Sequence, residues 1–326
     1  MLFHPHDQPG SAGVYFSTRG ARAVVAAIFL LATIAMPAVS HACACGCGVF
    51  DVGTGAMFPD GAGGQVYAEV DLMDQNRNWS GTSAAPADAN DDKQIRTAFY
   101  TVGAQYMFNR SWGVSADVPY WSRKFTTTDA DSGQTVSFDH AALGDIRLRV
   151  TYAGFAHDLS TGVSVGVKLP SGDSSYSNFD PDTEIGTGST DLLVGGYHLG
   201  KLTEDGSWNY YVRGMWDQPV ATKPIYRPGY EVLGVVGAYY HGWTYSSGVR
   251  VVPLVQATAA VRGHDGGTMS MPMDTGYTRL IVAPGIELSY DRFRAYAETG
   301  FAVYNNMNGN QLVARQMYKL SVSYAF

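Results

Sequence analysis

From residue 64 onward the chain alternates apolar and polar positions. Residues 64–72 set Val66, Ala68, Val70 and Leu72 against Tyr67, Glu69 and Asp71. Residues 318–326 set Tyr318, Leu320, Val322, Tyr324 and Phe326 against Lys319, Ser321, Ser323 and Ala325. A strand turns successive side chains to opposite faces, so each segment is a strand with one apolar and one polar face. The same rhythm predicts strands over 95–108, 112–120, 144–155, 162–170, 190–199, 208–219, 231–240, 243–253, 277–290, 293–304 and 314–326. Short turns at Asn109 and Arg110, 156–160, 203–206, His241 and Gly242, and Asp291 and Arg292 alternate with longer polar loops, the last over 305–311. Two-residue connections suit tight hairpins.

About twelve strands, with short turns at one end and long loops at the other, predict an all-β fold: an antiparallel transmembrane up-and-down β-barrel. An even count brings both chain ends to the periplasmic side. Parity then sorts the charges. Arg147 and Arg149 oppose Leu148 and Val150, and Lys168 opposes Val165, Val167 and Leu169. Arg213 and Asp217 share a face, as do Arg279 and Glu287. Arg294 with Glu298, and Arg315 with Lys319, complete the set. A charge facing lipid at the bilayer midplane costs roughly 2–4 kcal/mol, so these eleven side chains are expected to line the lumen. Paired charges zip a narrow barrel shut; opposed ladders line a water path. At this strand number a narrow or gated path is the favoured expectation.

Composition agrees with a strand-built membrane protein. Mean hydropathy is −0.10, and no stretch after residue 42 approaches the roughly 20 apolar residues of a spanning helix. Yet the chain carries 21 Tyr, 14 Phe, 6 Trp and 38 Gly, which suits interfacial girdles and tight turns. Only 16% of residues are charged, against about a quarter in an ordinary soluble protein. The net charge of −7, without basic clusters, argues against nucleic acid as a partner.

The amino-terminal end has its own pattern. Arg19 and Arg22 precede an uncharged run over 23–35, then Pro37 and small residues to Ala42. That is a secretory signal peptide over 1–42, cleaved after Ala42. Ser40 stands where a lipoprotein signal carries an apolar residue, so lipidation at Cys43 is the weaker reading. The next segment, 43–63, holds Cys43, Cys45 and Cys47 and is expected in the periplasm, where it is a candidate plug for the barrel over 64–326. Thiolates at this spacing suit Cu(I) or Zn(II), with His41 or His264 as added nitrogen; a Cys43–Cys47 disulfide is the alternative in an oxidising compartment. Met269, Met271 and Met273 form a second soft cluster in a long external loop. Asp173, Asp180, Asp182 and Glu184 lack the spacing of a calcium loop and predict a solvated acidic loop.

Two resemblances add to this. The last strand, ending on Tyr324 and Phe326, resembles the terminal strand of bacterial outer-membrane β-barrels. That implies recognition by the barrel-assembly machinery and an apolar face on outer-membrane lipid. Lys168, Leu169, Pro170, Ser171 and Gly172 at a strand exit, followed by Gly186, Thr187, Gly188, Ser189, Thr190 and Asp191 opening the next strand, resemble the family named for the MetA phenol-degradation pathway. The resemblance implies an outer-membrane barrel passing small, aromatic or apolar molecules. Read from the residues alone, the same motif is loop geometry at a barrel rim. The leading expectation is therefore a small-molecule channel or transporter and not an enzyme. A metal-handling or sensory barrel comes second, and a barrel lipid hydrolase third. His140, His157, His198, His241 and His264 show no serine at a recognisable spacing.

Overall fold

The computed structural model of the chain describes residues 62–129 and 131–326. The expected signal peptide and the cysteine segment lie outside the described residues.

Strands dominate: β1 (Gly63–Gly81), β2 (Ser83–Ala84), β3 (Asp92–Met107), β4 (Trp112–Thr128), β5 (Thr135–Leu143), β6 (Arg147–Tyr152), β7 (Thr161–Lys168), β8 (Thr190–Lys201), β9 (Trp208–Ala221), β10 (Glu231–Tyr240), β11 (Trp243–Thr244), β12 (Arg250–Arg262), β13 (Tyr277–Tyr290) and β14 (Phe293–Ala325). Eleven of them close an antiparallel ring in the order β1, β3, β4, β6, β7, β8, β9, β10, β12, β13, β14 and back to β1, while β2, β5 and β11 hang off it.

The last strand fills two places in the ring. Residues 293–307 of β14 pair with β13, and residues 307–325 pair with β1. The two halves lie side by side, because the Phe293 and Tyr324 rings meet at 4.9 Å and the Ala325 N–H donates to the Arg292 carbonyl. The reversal falls at Asn308 and Gly309, where Gly309 has φ 66°, the left-handed backbone of a tight hairpin. The expected loop over 305–311 is thus a two-residue turn, and the ring has twelve staves. Twelve strands spaced about 4.8 Å apart and tilted about 40° enclose a ring roughly 24 Å across between backbones.

Three other expectations change. Residues 121–143 do not form a loop throughout. β4 pairs with β6 as far as Asp117 and Arg147, then changes partner and pairs with β5 from Tyr120 upward. Pro119 sits at the changeover, where a residue without an N–H interrupts no ladder. β12 runs nine residues past Pro253, which lies just beyond the last β10–β12 pair, Tyr239 with Leu254. And His241 and Gly242 are no two-residue turn: the connection over 241–249 carries β11, which folds back on Arg250 and Val251.

The outer face is apolar and uncovered. Val66, Val102, Val150, Val165, Val236, Leu320 and Val322 are all exposed. Exposed rings collect at the turn end, with Trp112 on Tyr152 at 4.8 Å, Tyr152 on Phe155 at 4.9 Å and Trp208 on Tyr240 at 5.6 Å. The inside is packed: ionic and hydrogen-bonding side chains share it with an apolar cluster that includes Met73, Phe99, Met215, Leu233, Ile281 and Met317.

Candidate functional site

Three features of the interior and the loop end stand out. The first crosses the ring at the seam where the first and last staves meet. Lys319 faces Asp71 directly across the β1–β14 ladder. Its Nζ lies 2.8 Å from Glu69 Oε1 and 3.5 Å from Asp71 Oδ1. Only 1% of Lys319 is exposed, so it is stable as a charge only because carboxylates surround it. Glu298 acts on the same lysine electrostatically. It accepts hydrogen bonds from Gln256 Nε2 (2.6 Å) and Tyr296 Oη (2.5 Å), and Tyr211 Oη donates to Gln256 Oε1 (2.5 Å). Tyr211 reaches that far because it lies across Gly237, where a Cβ would overlap its ring. Tyr67 crosses Gly103 in the same way to bond Asp117, which also holds Arg149.

The second feature is a clasp at the loop end. Lys168 ends β7 and Asp191 opens β8, 2.5 Å apart. Asp145, buried just before β6, accepts from the Gly172 N–H (2.9 Å) with Oδ1. With Oδ2 it accepts from the Thr187 N–H (2.9 Å) and Oγ1 (2.6 Å). One carboxylate therefore ties both feet of the 169–189 loop. Gly172 and Gly186 pack backbone to backbone there, with no room for a Cβ on either. This is what the Lys168–Gly172 and Gly186–Asp191 motifs build.

The loop meets solvent only in part: Asp173 and Asp180 are exposed, as its acidic composition predicted, and Asp182 and Glu184 are half-buried. Thr183, Ile185 and Ser189 are buried. Arg123, buried on β4, donates through Nη1 to the Thr183 and Glu184 carbonyls. Phe179 packs on the cluster of Ile95, Phe125 and Leu312, drawn from β3, β4 and β14. In the ring β4 is two places from β7 and β3 three, while the last half of β14 stands opposite β8, so the loop folds over the β3–β4 side of the mouth. His140 on β5 stacks on Tyr176 at 3.7 Å, and its Nε2 lies 3.0 Å from Asp173 Oδ2.

The third feature is a vestibule above this loop, a cavity of about 740 Å³. Its lining includes Asp91, Asp92, Asp129, Asp180, Asp182, Asp265 and Asp274, with Phe125, Phe138 and Phe179, and no Lys or Arg among the described residues. Burial, then the nearby Asp180 charge, pushes the Asp92 carboxyl up to about 7, while a hydrogen bond from Thr127 works against the rise. Burial also raises Asp180. Asp265 is compensated from behind by Arg262 at 2.8 Å and Tyr226 Oη at 3.0 Å.

No family model matches the chain, and no curated protein does. Among solved structures, the COG4313 outer membrane channel from Pseudomonas putida F1 matches with a TM-score of 0.65 over 85% of this chain and 100% of that one, at 10% identity. The β domain of the Bordetella autotransporter BrkA matches at 0.50 over 81% and 100%, also at 10% identity. Both share the fold, and the uncovered apolar belt of this ring suits lipid and not water. The chain is a bacterial outer-membrane β-barrel.

Within this barrel, ten of the eleven charges selected by parity are buried or half-buried: Arg147, Arg149, Lys168, Arg213, Asp217, Arg279, Glu287, Arg294, Glu298 and Lys319. Lys168, Asp191 and Arg147 all act electrostatically on Asp217, and Arg279 lies over the Tyr277 ring at 4.1 Å. Arg315 is the correction. It is exposed, because the β1–β14 register slips between Met73 and Gln75, which pair with Met317 and Ala314. An extra residue in one strand resets its parity, a change that alternation alone does not show. Tyr324 packs on Phe293, and the Phe326 backbone exchanges two hydrogen bonds with Gly64. Cys43, Cys45 and Cys47 lie outside the described residues. Glu69 and Asp71, on the polar face of the first strand, were visible in its alternation. Arg123 was hidden in a stretch read as loop.

Proposed function

We propose that this barrel conducts small molecules across the outer membrane, along a narrow polar path entered from the acidic vestibule. The observation that carries the reading is an open, ligand-sized vestibule at the loop end of a ring whose interior combines charges, amides and phenols with an apolar cluster. Pockets of about 300–1,000 Å³ suit small solutes. The likeness to an outer membrane channel supports it at the level of fold, and the phenol-degradation resemblance of residues 168–172 and 186–191 adds small aromatic or apolar compounds as the cargo class. Aromatic walls suit such solutes, and a lining of aspartates without basic side chains favours neutral or cationic ones over anions.

Planar-bilayer conductance of the refolded chain over 43–326, and of a form truncated to Gly64, tests this. Discrete steps in either form establish a water path, and solute competition then ranks aromatic against aliphatic cargo. Steps only after truncation make the cysteine segment a plug. Silence from both folded forms sinks the reading. A second reading, copper or zinc handling, rests on the Cys43, Cys45 and Cys47 spacing. It requires stoichiometric metal that disappears when all three become serine.

A further inference from the structure

We propose that residues 173–185 form a hinged gate across the outer mouth, with its neck fixed by Asp145 and its tip latched to the wall by Arg123. The inference rests on the conduit reading and adds the element that controls it.

The geometry separates a hinge from a latch. At the neck, Gly172 and Gly186 touch backbone to backbone. The Gly186 N–H donates to the Asp173 carbonyl (2.7 Å), and Asp145 accepts from both sides of the neck. Behind it, Lys168 is held by Asp191 and donates to Thr187 Oγ1 (2.9 Å). The neck is short, and its bonds run to the buried Asp145 and between its own two feet. It is built to stay.

The tip is held otherwise. Arg123 grips it through two backbone carbonyls, and neither bond depends on which side chains the tip carries. Phe179 adds an apolar seat on Phe125, with ring centroids 5.4 Å apart. From the neighbouring β9–β10 loop, Lys223 Nζ reaches Ser174 Oγ at 2.8 Å. Hydrogen bonds from a guanidinium are strong in a dry site, but these end on a loop with no ladder of its own, so losing them need not disturb any strand pair. A segment anchored at both feet and held beyond them only by side-chain contacts, from Arg123, Phe125, His140 and Lys223, has two arrangements, shut against the wall or swung off it.

The test measures solute flux into proteoliposomes, with folding checked by heat-modifiable mobility, for the wild-type chain, Arg123→Met, Phe179→Ala and a chain with 175–184 replaced by a short glycine linker. The truncated form sets the ungated ceiling. Arg123→Met is expected to raise flux toward that ceiling by roughly tenfold, since it removes two charge-assisted bonds that the shut state alone makes, whereas its bond to Thr97 within the wall is lost from both states. Phe179→Ala should raise it less, and it serves as the tip variant should Arg123→Met fail to fold. Wild-type flux equal to that of the truncated form overturns the gate. Flux in Arg123→Met and Phe179→Ala equal to wild type, with the truncated form higher, overturns the latch. No flux in any folded form is a failure of the conduit reading and appears as silence even at the ceiling.

Discussion

The barrel holds two buried lysines among carboxylates, and they do different work. Lys319 joins strand to strand: Glu69 and Asp71 come from the first stave and Lys319 from the last, so its ion pairs sit on the seam that closes the ring. Lys168 also joins neighbouring strands, through Asp191, but its second carboxylate, Asp145, faces a loop. The chemistry is the same, and the architecture around it decides what depends on it. Breaking the first opens a cylinder; breaking the second frees a segment.

The sharpest way to break the comparison is Lys319→Met. Two buried carboxylates then lose their counter-charge, and removing one partner of a buried pair typically costs about 3–5 kcal/mol. Denaturant unfolding of the detergent-folded barrel should show that loss, and a change below about 1 kcal/mol would remove Lys319 from its place as the seam's anchor. Gly237→Val comes next, at about 1–3 kcal/mol, because a side chain there must displace the Tyr211 ring that spans to Gln256. Asp145→Ala is expected to change global unfolding by about 1 kcal/mol or less, since Lys168 keeps Asp191, while limited proteolysis within 172–187 accelerates strongly. Equal proteolysis of the two proteins would mean that the clasp holds nothing.

The smallest effect is electrostatic. Asp92 stays protonated in the fold after an unfolded chain has lost its proton, because burial and Asp180 raise its carboxyl from 3.8 to about 7. The stability it contributes at acid pH is therefore lost as pH rises between those values, and the vestibule gains a negative charge as pH passes about 7. Reversal potentials across a salt gradient should show cation preference growing from external pH 6 to 8, and Asp92→Asn should flatten that slope.

Most of the wall was legible from alternation, because a strand with lipid outside and polar groups inside must change character at every residue. Residues 277–290 and 231–240 coincide with β13 and β10. Errors gathered where something other than alternation ruled. Pro119 and Pro253 looked like strand ends, but a proline is tolerated where the ladder on one side has stopped. Asn308 and Gly309 were hidden in a polar stretch read as loop. Arg315 kept its parity in the sequence and lost it to a register slip. The vestibule was legible only as scattered aspartates, since its members come from connections far apart along the chain.

By itself the sequence determined the class of the fold, the approximate stave number and the faces on which charge is tolerable, because each follows from period-two patterning beside a bilayer. Tertiary structure alone decided that β14 folds back to close the ring, that β4 trades β6 for β5, and that a loop whose Asp173 and Asp180 meet solvent seats Phe179 against the wall. Those outcomes depend on partners distant in sequence: Phe179 needs Ile95 and Leu312, and Gly172 and Thr187 need one carboxylate at Asp145. A local pattern records which face a side chain prefers. It holds no record of which distant backbone will be waiting there.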